Sequence, residues 1–424
     1  MRPSNLTSRN MGLQTKEPAS GGRGGVSGRG RFCAFRDKLF PGMLLALLVS
    51  ALTVYSCAPE TKVQDQNRQP GAQGTPAAGS KLSGQDEWQR LLSAARSEGK
   101  VNVYGEAASM RGPFGDAFLN KYGIQIEVTV ARPTETAEKL QRERRAGIYL
   151  ADAVVGGQDA LVGIVKPLGV LDSLEPTFML TELTSAAELQ KTWWRGKLYW
   201  NDDAHTSLSF AANPSIPMAV NTDIVKPPIT SYKNLLDPRW KGKIIFQDPT
   251  AGGGGFRRFA AAGAIFVSWD FWREVMAKQE PAFTRDARLQ MEGVARGKYA
   301  IAFSPNTEQI TYFRDGGAPV DFALPVEGSY IGAGIGGIAV VTQPAHPNAA
   351  KLLVNFLLSQ EGQTLFSKAS GLQSTRMDVP TDHLHPAKMR QPGINYYVPE
   401  GDKSYELEMQ WKKIVDEMVI PYVK

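Results

Sequence analysis

Hydrophobic and polar positions change their period several times between residues 86 and 168. In DEWQRLLSAARSEGK, Trp88, Leu91, Leu92 and Ala95 recur on one helical face and Gly99 closes the run, which predicts an amphipathic helix. VNVYGEA then reads as a strand, MRGPFGDAFLNKYG as a helix, IQIEVTVA as a strand, TAEKLQRERRAG as a helix, ADAVVGG as a strand and DALVGIVKPLG as a helix. Such alternation predicts a parallel sheet with helices on its faces. Ligands of these sheets sit beyond the carboxyl ends of the strands, here residues 105–110, 132–134 and 156–158.

The pattern breaks in the middle of the chain. TSLSFAANPSIPMAVNTDIV holds two extended runs around Asn213-Pro214, after which KIIFQD, a helix from Phe256, DFWREVMAK, DARLQMEGVARG and the strand YAIAFSP restart the alternation. VDFALPVEG and the glycine-rich GAGIGGIAVVT precede a helical run, HPNAAKLLVNFLLSQEGQTLFSKAS. Two α/β units joined by two extended crossings predict two lobes, a cleft between them and a hinge. Lobe one is expected over residues 86–220 and 322–424, with the run after Tyr405 packing back on it, and lobe two over residues 221–321.

The N-terminal segment is different in kind. Arg36 and Lys38 precede largely apolar residues 43–56, a stretch shorter than the roughly 20 residues of a spanning helix and suited to a signal peptide. Residues 1–56 are therefore read as an export signal. Val54-Tyr55-Ser56-Cys57 resembles the lipobox of bacterial lipoproteins, which implies acylation of Cys57 and a lipid anchor in the membrane; Tyr55 departs from the usual small residue. Residues 57–85, rich in Gly, Pro, Gln and Ala, read as a flexible tether. The only other cysteine, Cys33, precedes the apolar stretch, so the exported body has no pair for a disulfide or thiolate metal site. The net charge of +6 also belongs to this segment. Eight of the chain's 48 basic and two of its 42 acidic residues lie in residues 1–57, leaving 40 of each, and a nucleic-acid partner loses its compositional support.

EWQRLLSAARSEGKVNVYG, PMAVNTDIV, SYKNLLDPRWKGKIIFQDPTAGG and HPNAAKLLVNFLLSQEGQ together resemble the ferric-iron-type substrate-binding proteins of ABC transporters, with a type II periplasmic-binding fold, over most of residues 86–376. The resemblance implies an extracytoplasmic, monomeric, non-enzymatic binder serving a membrane permease. Its ligand would be a small anionic or polar solute, an iron chelate or another metal complex among the candidates, with no bound cofactor. A ligand-presenting sensor on the same fold is the alternative. An enzyme would have to rest on Asp202, Asp203 and His205, which no nucleophile elbow, metal-ligand set or cofactor fingerprint accompanies.

In DPTAGGGGFRRF the lysine and hydroxyl of a Walker loop are missing, because Phe256, Arg257 and Arg258 follow the glycines. What is left is a turn of amides opening a helix, a place for an anion. The resemblance gives that role to Thr250, Ala251 and Gly252, with Gly253 and Arg257 beside them. Where ferric-binding relatives carry adjacent tyrosines, this chain has Asn306, Thr307 and Glu308, and Tyr312 lies one turn on. Glu106 stands near the place of a first-lobe histidine. Glu106 and Glu308 are hard oxygen donors, and Ser109, Gln158 and Tyr330 are further candidate contacts. His383, His385 and the Tyr396-Tyr397 pair read as surface and core residues, and Trp193, Trp194, Trp269 and Trp272 as core.

Overall fold

The structure is a computed structural model that describes residues 84–332 and 334–423; the export segment, Cys57 and nearly all of the tether fall outside the described residues. The expected alternation is present as α1 (Gly84–Glu98), β1 (Lys100–Gly105), α2 (Pro113–Tyr122), β2 (Gln125–Val130), α3 (Pro133–Arg145) and β3 (Ala153–Gly156). The next helical stretch, Asp159–Val165, is a π-helix, a form often found at functional sites. Beyond it come β4 (Leu171–Asp172), short helices α4 (Thr181–Thr184) and α5 (Ala186–Thr192), β5 (Tyr199–Trp200), β6 (Ser207–Ser209), β7 (Asn213–Pro214) and β8 (Met218–Asn221). The second unit holds β9 (Ile244–Gln247), α6 (Gly253–Ala261), α7 (Trp269–Gln279), β10 (Ala282–Thr284), α8 (Ala287–Ala295), β11 (Ile301–Phe303), α9 (Thr307–Asp315) and β12 (Val320–Ala323). The chain finishes with β13 (Ser329–Gly332), β14 (Gly337–Val341), α10 (Pro347–Leu358), α11 (Gln360–Ser370), β15 (Tyr396–Tyr397) and α12 (Gly401–Val419).

Two sheets carry the two lobes. The first runs β2-β1-β3-β14-β6-β5, with β4 beside β14; β1, β2 and β3 are parallel and β14 is antiparallel to β3 and β6. The second runs β10-β9-β11-β8-β12, parallel among β10, β9 and β11 and antiparallel where β8 enters. Its own strands therefore begin at Met218 and end at Ala323, a few residues outside the expected span of lobe two.

The crossings are paired along their length. β6 lies against β14, β7 against β13 and β8 against β12, all antiparallel, so the two crossings pair in three successive stretches, and β15 adds an edge to the middle one. Glycines in the returning strand permit this closeness. A Cβ on Gly336 would sit 1.9 Å from the Ala211 carbonyl oxygen, and one on Gly337 would sit 2.5 Å from that of Gly156.

Each lobe has its own core. In lobe one α10 is buried around most of its circumference, and Phe356 meets the rings of Phe114 and Phe118 at 5.2 and 5.3 Å. In lobe two Trp272 stacks on Phe259 at 4.6 Å and meets Phe303 edge-on at 4.7 Å. The helical run after Tyr405 departs from expectation. Trp411, Val415, Met418 and Val419 of α12 join the cluster built on Phe246, Phe256 and Trp272, so this run closes the core of lobe two rather than packing back on lobe one. The apolar stripe at i, i+4, i+7 and i+8 fits the surface of α6, whereas α10 already fills the corresponding place in lobe one. Trp411→Ala should then lower the unfolding free energy by about 3–5 kcal/mol, checked by chemical denaturation; a change below about 1 kcal/mol would mean that α12 is not part of that core.

Candidate functional site

The tips of β1 and β3 form one wall of a cleft. Gly105 leaves β1 at φ +102°, where a Cβ would lie 2.3 Å from the Val155 carbonyl oxygen, and the Glu106 amide then donates to that same oxygen at 2.8 Å. This turns the Glu106 side chain into the cleft, where burial holds its carboxyl above the usual range and the Gly157 amide partly offsets that. Gly157 also needs to be glycine: its Cβ would meet the Gly334 carbonyl oxygen at 2.1 Å. The main chamber, about 410 Å3, is lined by Glu106, Gln158 and Asp159 from lobe one, Gly254 and Arg257 from lobe two, and Ser215 and Tyr330 from the crossings, among others. Tyr330 is buried, its ring 6.2 Å from Tyr397, and burial keeps its hydroxyl well above the ordinary range despite the nearby Arg257 charge.

Arg257 ties this region together. Its Nη2 donates to Asp159 at the start of the π-helix, and its Nε donates to Glu408 Oε2 of α12 at 2.9 Å. The guanidinium side chain is 16% exposed and the Glu408 carboxylate 2%. Burial nevertheless pushes the Glu408 carboxyl above its ordinary value, outweighing the Arg257 charge and hydrogen bond, and among the described residues Glu408 Oε1 has no hydrogen-bond partner.

A smaller chamber of about 180 Å3 adjoins through Ser215 and Gly332, which line both. Asn306, Thr307 and Glu308 at the start of α9, Arg258 and Lys388 line it. Arg258 donates from Nε to Ser304 Oγ at 2.8 Å and from Nη2 to the Ser304 carbonyl at 3.0 Å and to Gln247 at 3.3 Å. None of its hydrogen bonds goes to a carboxylate, and burial lowers it to about 10. Ser304, which holds it, has φ +57° at the tip of β11, a left-handed non-glycine position of the kind that collects at binding sites. Asn306 spends its side-chain oxygen on the Gln309 amide, capping α9.

Glu106, Gln158, Arg257 and Tyr330 thus meet in one chamber, and Asn306, Thr307 and Glu308 in its neighbour. The glycine turn is placed differently from expectation. Neither chamber is lined by Thr250, Ala251, Gly252 or Gly253; Gly254 is the member of the run that reaches the cleft. The reason is local. The Thr250 amide and hydroxyl both donate to Asp248 Oδ1, at 2.9 and 2.6 Å, while Asp248 Oδ2 accepts from Arg285 at 2.8 Å, so the turn closes on its own carboxylate. Gly252 and Gly253 have φ of +80° and +62°, and a Cβ on either would meet no atom within 4 Å. Ser109 is buried in the short helical turn after β1 and lines neither chamber.

The remaining candidates have other roles. Asp202 is fully buried, not the solvated turn residue its sequence context suggests, and accepts from the Thr206 amide and hydroxyl and the Ser207 hydroxyl. His205 stacks on Trp200 at 4.2 Å, and His383 and His385 face Ser367 and Arg314 respectively. Trp193 and Trp272 are fully buried, but Trp194 lines a separate cavity. Among the described residues no group of three or more His, Cys, Asp or Glu is placed to hold a metal ion, and no helix is long and apolar enough to cross a membrane. Sequence reasoning missed Asp159 and Glu408, and it did not place Arg258 among the contacts.

Residues 114–389 match the family described as bacterial extracellular solute-binding protein. The chain belongs to that family. An uncharacterized protein of Haemophilus influenzae is 28% identical over 172 residues, 39% of this chain and 48% of that relative, so the match spans about half the relative's length. Among solved structures, the Trichodesmium protein IdiA (FutA) in complex with iron and citrate is similar with a TM-score of 0.58 and 16% identity, over 76% of this chain and 99% of its own. Iron-bound HitA from Pseudomonas aeruginosa has a TM-score of 0.52 at 19% identity, over 74% of this chain and 99% of its own. The periplasmic binding protein AfuA from Actinobacillus pleuropneumoniae, bound to fructose-6-phosphate, has a TM-score of 0.50 at 19% identity, over 76% and 98%. These likenesses establish the two-lobed type II periplasmic-binding fold.

The buried pair yields a pH-dependent expectation. A carboxyl whose folded value is raised contributes most below its ordinary value, and that contribution is lost as pH rises through the raised one. Arg257→Gln should extend this loss upward, costing about 3–5 kcal/mol near neutrality and less in acid. Arg257→Gln with Glu408→Gln should recover most of it. Unfolding free energies at about pH 5 and about pH 8 test this; equal losses at both would refute the assignment of the buried charge.

Proposed function

We propose that this solute-binding protein is the lipid-anchored substrate-binding component of an ABC importer, and that it captures a small anionic or polar solute by closing its lobes. The observation that carries the anion is Arg258. A guanidinium brought out of water without a carboxylate partner is costly, and an anion seated between it, Ser215 and the start of α9 would offset that cost. Lys388, 3.9 Å from Glu308, balances that carboxylate and leaves the Arg258 charge as the surplus of this chamber. Arg257 is already neutralised by two carboxylates, so the main chamber suits the polar remainder of the solute, which Glu106 and Gln158 would hydrogen-bond.

The donor set argues against a bare ferric ion. Two arginines face the joined chambers, and of the three carboxylates that line them Asp159 is taken by Arg257 while Glu106 and Glu308 line different chambers. An iron chelate carrying surplus negative charge fits the same logic as a free oxyanion. Neighbours of this fold hold iron with citrate and a sugar phosphate, which supports solutes of that size and charge. Cys57 acylation, the tether, the membrane permease and a monomeric state complete the reading. Nothing in the cleft requires a reaction.

A thermal-shift screen over ferric citrate, phosphate, sulfate, phosphonates, polyamines and small carboxylates should identify an anion that raises the unfolding midpoint. Arg258→Gln should weaken that ligand at least tenfold, about 1.4 kcal/mol, in calorimetry on protein whose ligand-free midpoint matches the parent. Thr250→Ala should change affinity less than twofold, about 0.4 kcal/mol, because its hydroxyl already serves Asp248. Unchanged binding by Arg258→Gln would refute the anion seat. Separately, Cys57→Ser should move the protein from the membrane to the soluble fraction, and unchanged partitioning would refute the anchor.

A further inference from the structure

A second cavity lies in lobe one, apart from the cleft. It measures about 500 Å3 and is lined by Trp194 and Arg195, by residues of the segment 373–381, and by Arg390, Gln391 and Tyr396. None of its lining residues lines either cleft chamber. Three arginines face it, but their circumstances differ. Arg376 is neutralised, paired with Asp378 at 2.8 Å and with Glu182 at 3.4 Å. Arg195 and Arg390 are not. Their guanidinium carbons stand over the Trp194 ring at 4.3 and 4.7 Å from its centroid, and their side-chain hydrogen bonds go only to the carbonyl oxygens of Tyr396 and Ser374. Glu400 is taken by Lys197 at 2.8 Å.

Two further observations make this a built site. Arg390 Nη1 is buried and has no hydrogen-bond acceptor, an arrangement proteins normally avoid. Arg195 has φ +55° and ψ +19°, a left-handed backbone that a non-glycine residue adopts at a cost and that presents its side chain over Trp194. Burial, with the like charge of Arg195 acting in the same direction, lowers Arg390 to about 10, as expected where a counter-ion is wanting. Arg195 is exposed and Arg390 half-buried, and two like charges held on one ring with a buried donor unspent leave a place that an anion would share with both.

We propose that this cavity is a second binding site, for a small oxyanion, in which Arg195 and Arg390 supply the charge and Gln373 and Thr381 the neutral donors. The oxyanion is a carboxylate or a phosphate group of a free small molecule, since paired guanidinium groups recognise both through parallel N–H donors. Its occupation would brace the segment 373–394 against Trp194 independently of the solute in the cleft.

The test uses the full chain and two probes, orthophosphate and citrate, in an Arg258→Gln background that removes the proposed cleft seat. At least one probe should still bind there by calorimetry, and adding Arg390→Gln should weaken it at least tenfold. The second variant is Arg195→Gly. Glycine accepts φ +55° without strain, so this change should keep or raise the ligand-free unfolding midpoint while weakening the probe at least tenfold. That signature separates a binding role from a structural one. The proposal is overturned if neither probe binds in the Arg258→Gln background, or if Arg195→Gly and Arg390→Gln bind as tightly as that background does. It is equally overturned if Arg195→Gly lowers the ligand-free midpoint, because Arg195 would then be a structural residue.

Discussion

The contact on which the arrangement turns is the one Arg257 makes with Glu408 and Asp159. α12 is anchored at both ends to different lobes. Its first turns reach lobe one, where Asp402 meets Lys166, Ser404 accepts from Gln158 at 3.2 Å and Tyr405 fills the space left by Gly163. Its later turns fill the core of lobe two through Trp411, Val415 and Val419. Between the two lies Glu408, a carboxylate brought to a nearly dry position that a single guanidinium neutralises only in part. Because Arg257 belongs to α6 of lobe two and also reaches Asp159 of lobe one, the same group that makes this burial tolerable joins the lobes across the cleft. The separation of the lobes and the seating of α12 are therefore not independent variables.

The hinge adds a second constraint. Two single crossings could twist separately, but here they pair from β6 with β14 to β8 with β12, so they bend as one ribbon. Its glycines lie against neighbouring carbonyls at distances no side chain could occupy. In the proposed closure the lobes would move about these crossings, against the restraint of α12 and the Arg257 contacts. A hinge of this type shifts between states by a few kcal/mol, which the loss or gain of one interlobe ion pair is large enough to bias.

Much of the architecture could be read from the chain. Alternating period identified the first-lobe strands and helices, and the break around Asn213-Pro214 marked the crossing, because both features depend on local spacing. The partner of an amphipathic stripe does not. Trp411, Val415 and Val419 announce a buried face without saying which core receives it, and Glu408 on the same helix looks like any solvated glutamate until Arg257 is placed opposite. Arg257 and Arg258 are neighbours about 100° apart on α6, so their spacing could not decide which one keeps an acid partner; only the third dimension separates the paired guanidinium from the free one. Thr250 failed for a reason the sequence did hold. Asp-Pro-Thr is an invitation for aspartate to accept from the residue two positions on, and a threonine engaged that way has no donor left for a ligand.

The charges of the joined chambers are divided, and the division bears on how capture is linked to closure. In the larger chamber Arg257 is balanced by Asp159 and Glu408, so closing it removes little uncompensated charge from water. In the smaller chamber Arg258 is held by neutral groups alone, and its desolvation is offset only in part. In the proposed closure, a movement that desolvates Arg258 further would be uphill while the seat is empty and downhill once an anion occupies it. A ligand shifts an equilibrium only by its difference in affinity for the two states. In the proposed reading, a guanidinium without a carboxylate hydrogen bond at the junction of lobe and hinge would supply such a difference for anions and not for cations, so the group that selects the solute would also make closure depend on it.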